Sequence, residues 1–122
     1  MIISDLGVPL PISPIGTVVI SKQIYLSSLT AGLTYDIDTY AAFGYTITNI
    51  YQIQTSSGTV TAAVKINGTN VTGMSSISVS STPQNITATA ANVVAVGDRV
   101  QLVFSSNSAA ININLTLAAT RS

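Results

Sequence analysis

The chain has 122 residues, four Lys+Arg, four acidic residues and no net charge. Charged residues make up 7% of it, against about 25% in an ordinary soluble domain. With no Cys, His or Trp, and Asp5, Asp36, Asp38 and Asp98 as its acids, the chain offers no disulfide framework, no His-based nucleophile or general base and no thiol chemistry.

The first segment, residues 1–16, stands apart. Pro9, Pro11 and Pro14 favour extended backbone and remove hydrogen-bond donors. Ile2, Ile3, Leu6, Val8, Leu10, Ile12 and Ile15 make it too apolar for a solvated tail. The expectation is an extended arm that docks, either along its own domain or on a neighbouring subunit or another protein. The start lacks a basic region before its apolar residues, so it reads as a poor signal peptide. No apolar run reaches the roughly 18 residues of a membrane-spanning helix.

Residues 17–122 read as one β-sandwich domain. "TVVIS" (17–21) and "QIYLSSL" (23–29) are short β-rich runs, and "SSLTAGL" (27–33) has room for one helical turn. "LTYDIDTY" (33–40) alternates, with Leu33, Tyr35 and Ile37 on one face. In "YTITNIYQIQT" (45–55) the inward set is predicted as Tyr45, Ile47, Tyr51 and Ile53. "TVTAAVKI" (59–66) places Val60, Ala62, Val64 and Ile66 inward. Further strands are expected at 76–81, with Ile77 and Val79 together, and at 85–90, with Ile86, Ala88 and Ala90. The last two are 98–106, with Val100, Leu102 and Phe104, and 110–120, with Ile111, Ile113, Leu115 and Leu117. Period-two alternation of this kind marks strands with one buried and one polar face. Turn signals fall at Gly32, Gly44, Ser56-Ser57-Gly58, Asn67-Gly68, Gly73, Thr82-Pro83, Gly97-Asp98 and Ser106-Asn107-Ser108, a rhythm of about ten residues typical of antiparallel sandwiches. The predicted fold is an all-β, antiparallel, jelly-roll-like sandwich with the Pro-containing arm at its N-terminus; an immunoglobulin-like sandwich is the second choice.

Four features carry candidate sites. Asn67-Gly68 fits the two positive-φ positions of a type I′ hairpin turn. The Asn-x-Thr triplets at Asn67, Asn70, Asn85 and Asn114 read as by-products of a Thr-rich strand surface. Gly97-Asp98-Arg99 reads as turn chemistry, with Asp98 and Arg99 able to pair with each other or across protomers. Asp36 and Asp38, two residues apart on a strand, are expected side by side; they form a weak candidate for Ca²⁺, outweighed by a solvated strand edge. The five tyrosines, Tyr25, Tyr35, Tyr40, Tyr45 and Tyr51, suit sheet packing first, a subunit interface second and a ligand platform third. Lys22, Lys65, Arg99 and Arg121 are scattered, so nucleic acid is not an expected partner. No catalytic set, cofactor, membrane or small-molecule substrate is expected either.

The run "AAVKINGTNVTGMSSISVSST", followed by "ITATAANVVAVGDRVQLVFSSNSAAININLTLAATR", resembles a β-sandwich module of tailed-bacteriophage virion proteins. It covers about residues 58–121. The Ile66-Asn67-Gly68-Thr69 hairpin, the Gly73-Met74 step and "VAVGDRVQL" (94–102) carry the likeness. It implies a homotrimeric structural protein of the virion, assembled in the host cytoplasm. The foremost role is capsid decoration, a cement protein that binds the major capsid protein or another virion protein. A head or tail fibre segment is the alternative, and a carbohydrate-binding or adhesion module is the alternative of another class.

Overall fold

The computed structural model describes residues 18–28 and 33–121. The expected arm (1–16), Thr17, residues 29–32 of the possible helical turn (27–33) and Ser122 lie outside these residues; Ser27 and Ser28 belong to the first strand. Nine strands follow in order: β1 (Val19–Ser28), β2 (Thr34–Asp38), β3 (Tyr45–Gln54), β4 (Ser57–Ile66), β5 (Thr69–Asn70), β6 (Ile77–Val79), β7 (Gln84–Thr87), β8 (Val93–Val94) and β9 (Val100–Arg121). All pairings are antiparallel, and no helix occurs among the described residues. The all-β antiparallel class expected from alternation is thus what the chain has.

The sheet is organised around β9. Tyr45 lies opposite Arg121 and Gln54 opposite Asn114. The same antiparallel course continues with Ser57 opposite Ile111 and Ile66 opposite Val100. Residues 45–66 therefore form one long ribbon partner of residues 100–121. On the other side of β9, β1 pairs with its second half and β2 with its first. The short strands β7 and β8 extend the sheet beyond β3, and β5 and β6 extend it beyond β4. Two half-sheets share a single central ribbon, and the whole curls as a half-barrel around one apolar core.

Backbone that needs left-handed residues makes the bend. On β9, Ser106, Ala109 and Asn112 have φ of 50°, 55° and 54°. Facing them is Gly58 at φ 75°. A Cβ at Gly58 would sit 2.2 Å from the Ala109 carbonyl oxygen, so only glycine lets the two strands approach there. The corner's polar groups are satisfied locally. The buried Thr55 hydroxyl donates to Gly58 O (3.0 Å), and Ala110 N donates to Asn107 Oδ1 (2.9 Å). Ser56-Ser57-Gly58 and Ser106-Asn107-Ser108, expected as turns between strands, are instead the two sides of this corner, and the two C-terminal strands expected at 98–106 and 110–120 are one.

The core follows the predicted alternation closely in β4, where Val60, Ala62, Val64 and Ile66 are all buried, and in the first part of β9, where Val100, Leu102 and Phe104 are. In β3 it departs. Register shifts at Thr48 and at Tyr51 mark two bulges. Each adds a residue and advances the phase by one, so Ile50 is buried while Tyr51 is 55% exposed. Beyond the corner the phase of β9 changes again: Ile113, Leu115 and Leu117 are buried, but Ile111 is 42% exposed. Ile86 and Ala88 pack against the core, whereas Ala90 is exposed. Truncating a fully buried side chain such as Leu117 costs about 2–5 kcal/mol.

The hairpin turn is as expected. Asn67 (φ 50°) and Gly68 (φ 85°) form the two-residue loop between paired Ile66 and Thr69. No atom lies within 4 Å of a Cβ built at Gly68, so a substitution there meets backbone strain alone. Gly68→Ala should lower stability by about 1–2 kcal/mol. Gly58→Ala adds a clash with backbone to the same strain and should cost more. Chemical denaturation of the two variants checks the order; equal midpoints would contradict the tight corner.

Candidate interaction surface and polar clusters

Alternation along β1 places Ile20, Lys22, Ile24 and Leu26 opposite Ala119, Leu117, Leu115 and Ile113, on the core side of the sheet. A lysine in that row needs a partner, and Asp38 supplies it. Lys22 Nζ lies 3.2 Å from Asp38 Oδ2 and 3.3 Å from Oδ1. The Tyr45 hydroxyl donates to Asp38 Oδ2, and Lys22 Nζ sits 5.5 Å from the centre of the Tyr45 ring. Burial first, then the hydrogen bond to Asp38 and the charges of Asp38 and Asp98, raise the Tyr45 pKa far above its ordinary value. Tyr45 therefore stays a protonated donor. Phe43 meets the Tyr45 ring edge-on at 6.0 Å, and the Arg121 guanidinium lies 4.3 Å over Phe43.

Asp36 has different partners. Gln101 Nε2 donates to its Oδ1 at 3.0 Å, and Arg99 Nε is 3.5 Å from the same oxygen. A register shift explains why it does not join Asp38. Asp36 lies opposite Gln101 and Asp38 opposite Val100, so two steps along β2 match one along β9. The bulge at Ile37 breaks the expected side-by-side arrangement. Among the described residues no three His, Cys, Asp or Glu side chains gather as a metal site.

The two predicted turns meet. Asn67 Nδ2 donates to Asp98 Oδ1 (2.9 Å), and Asn67 Oδ1 accepts from Arg99 N (2.9 Å). Asp98 Oδ2 accepts from Ala95 N (2.9 Å) within the turn that Gly97 (φ 89°) permits. Arg99 turns to Asp36, so Asp98 and Arg99 do not pair with each other. The Ala95 amide, followed by Asn67, holds the Asp98 carboxyl below its ordinary value of 3.8.

With these groups engaged, the outward face carries little charge, with Lys65 on β4 as a cation without an ion pair among the described residues. Gln23 and Tyr25 on β1, Asn114 and Thr116 on β9 and Gln52 on β3 line a shallow depression. Tyr25 is 59% exposed and its hydroxyl donates to Asn112 Oδ1 at 2.7 Å. Tyr40, Tyr51, Val93 and Val96 are exposed as well. Of the five tyrosines, Tyr45 is in the core, Tyr35 packs on its margin and three face outward. Sequence reasoning missed the Lys22–Asp38–Tyr45 cluster; the lysine in the apolar row of β1 was the signal.

No family model, no curated protein and no solved structure matches this chain.

A carboxylate with a lowered native pKa binds fewer protons folded than unfolded. Its contribution is complete above the unfolded value of 3.8 and is lost as pH falls below it, through the lower native value. Asp98→Asn should therefore reduce the thermal midpoint at pH 6 and lessen its fall between pH 4 and pH 2. Parallel curves for variant and parent would contradict the assigned role.

Proposed function

We propose that this chain is a structural virion protein, a capsid decoration protein of a tailed bacteriophage that binds the outer surface of the head as a homotrimer and stabilises it. The observation that carries the reading is the surface chemistry. The three described acids are held within the domain: Asp38 by Lys22 and Tyr45, Asp36 by Gln101 and Arg99, Asp98 by Asn67 and the Ala95 amide. Among the described residues, what remains outside is mostly hydroxyl, amide and tyrosine, with Lys65, Arg99 and Arg121 as the cations that reach the surface. Such a surface associates closely with little charge to desolvate. The resemblance of residues 58–121 to virion modules supports the same reading. A protein that binds only the assembled shell stabilises that shell by mass action.

Electron microscopy of particles that contain the protein tests this. The expected result is density on the outside of the head, with heads lacking the protein breaking at lower temperature. Density confined to a fibre would favour the fibre alternative, and absence from particles would overturn both.

The depression around Tyr25 favours one reading of another class, a carbohydrate-binding module. An exposed ring flanked by Gln23, Gln52 and Asn114 offers stacking and amide hydrogen bonds to a sugar. On a glycan array this reading expects specific binding that Tyr25→Ala abolishes by tenfold or more; no binding at any concentration rejects it.

A further inference from the structure

One long edge of the sheet is left open. β1 pairs only with β9 among the described residues. The opposite side of the sheet ends in four strands of two to four residues, which blunts it. The edge of β1 runs for ten residues without a proline, and its one charge, Lys22, is neutralised by Asp38. Val18 O accepts from Arg121 N at 2.8 Å, and this fixes the phase. N–H and C=O of a given residue point to the same side of a strand, and successive residues alternate. Even-numbered residues of β1 therefore aim their backbone at β9. Val19, Ser21, Gln23, Tyr25 and Ser27 aim theirs off the edge. On the core side, Ile20 and Leu26 remain only partly covered.

The sequence ahead of β1 has a matching parity. Every second residue from Leu6 is aliphatic: Leu6, Val8, Leu10, Ile12. The alternate positions are Asp5, Gly7, Pro9, Pro11 and Ser13. As an extended strand, this segment has one apolar face, one edge with all its donors and one edge on which Pro9 and Pro11 leave Gly7 as the donor between residues 6 and 12.

Direction follows from these two parities. The aliphatic row belongs on the core side, beside Ile20, Ile24 and Leu26. In an antiparallel addition, residues opposite each other on the core side would both turn their backbone away from the shared edge, and Pro9 and Pro11 would face β1. In a parallel addition, the aliphatic residues present their donors to β1, while Pro9 and Pro11 close the outer edge. Pro14 then ends the pairing. A parallel neighbour in the same chain needs a crossover of about a dozen residues or more, and only residues 13–18 separate the segment from the start of β1 at Val19.

We propose that residues 6–12 of one copy add as a parallel strand to the outer edge of β1 in a second copy. Each copy then donates one strand and accepts one, a head-to-tail contact that closes into a ring. The blocked outer edge stops further addition. This gives the homotrimer of the proposed function a physical basis, and it rests on that reading for the number of copies only. Solution mass reads the exchange, and attachment to heads reads the capsid role, so each can fail without the other.

A pair of proline substitutions in the full chain tests the proposal, read by light scattering after size exclusion. The parent is expected to be a multimer. Val8→Pro removes a donor facing β1 and should yield monomers, while Gly7→Pro falls on the blocked edge and should leave the multimer intact. Circular dichroism melts confirm that both variants keep the folded sheet. A monomeric parent, two variants that behave alike, or disruption by Gly7→Pro but not Val8→Pro would overturn it; a monomeric parent places the arm within its own copy, and the last outcome makes the added strand antiparallel.

Discussion

A single strand, β9, is the constraint on which the rest of the structure depends. Among the described strands, the two halves of the sheet are continuous through the ribbon that β9 makes with β3 and β4. The halves can enclose one core only if that ribbon bends sharply without losing its pairing. Left-handed residues on β9 and Gly58 opposite them supply the bend. Thr55, Ser56, Asn107 and Asn112 satisfy the polar groups that it exposes. Three of the left-handed residues are not glycine, and each carries a strain of about 1–2 kcal/mol. Packing on both sides of the corner outweighs it.

The same geometry sets the electrostatics. Because β1 and β2 flank opposite halves of β9, Lys22 and Asp38 approach from different half-sheets and join them. The pair is partly buried and shares its carboxylate with the Tyr45 hydroxyl. A salt bridge in such a place contributes less to stability than to uniqueness of arrangement, since removing one partner strands the other. The Asn67–Asp98 contact does the same for two turns at the edge of the sheet. With so few charges, most of those described are engaged within the domain, and the described surface is mostly hydroxyl, amide and tyrosine, with Lys65 and the two arginines as its cations.

Alternation made much of the fold legible. β4 and the first half of β9 have uninterrupted period-two patterns, and their inward residues are those expected. Where the ladder slips, the pattern misleads. Bulges at Thr48 and Tyr51 exchange Tyr51 for Ile50 in the core, and a bulge at Ile37 separates Asp36 from Asp38. Nothing in a strand's own sequence marks such a slip, because it arises from fit against the neighbouring strand. Ser106-Asn107-Ser108 misleads for a related reason: residues that favour turns also favour the left-handed conformations of a bent strand. The turn at Asn67-Gly68 was legible because its requirement is local. Its contact with Asp98 was not, since that depends on which loops the topology brings together. Lys22 lay within reach, as a charge in an apolar row.

Assembly is the claim on which the functional account turns, and it concerns the open edge of β1. Amide hydrogen exchange in the full chain reads that edge directly. If a second copy's strand covers it, the amides of Ser21, Gln23 and Tyr25 are protected as strongly as those of Lys22 and Ile24, which face β9. Rapid exchange at these three residues, beside slow exchange at Lys22 and Ile24, would leave the edge bare and contradict the account.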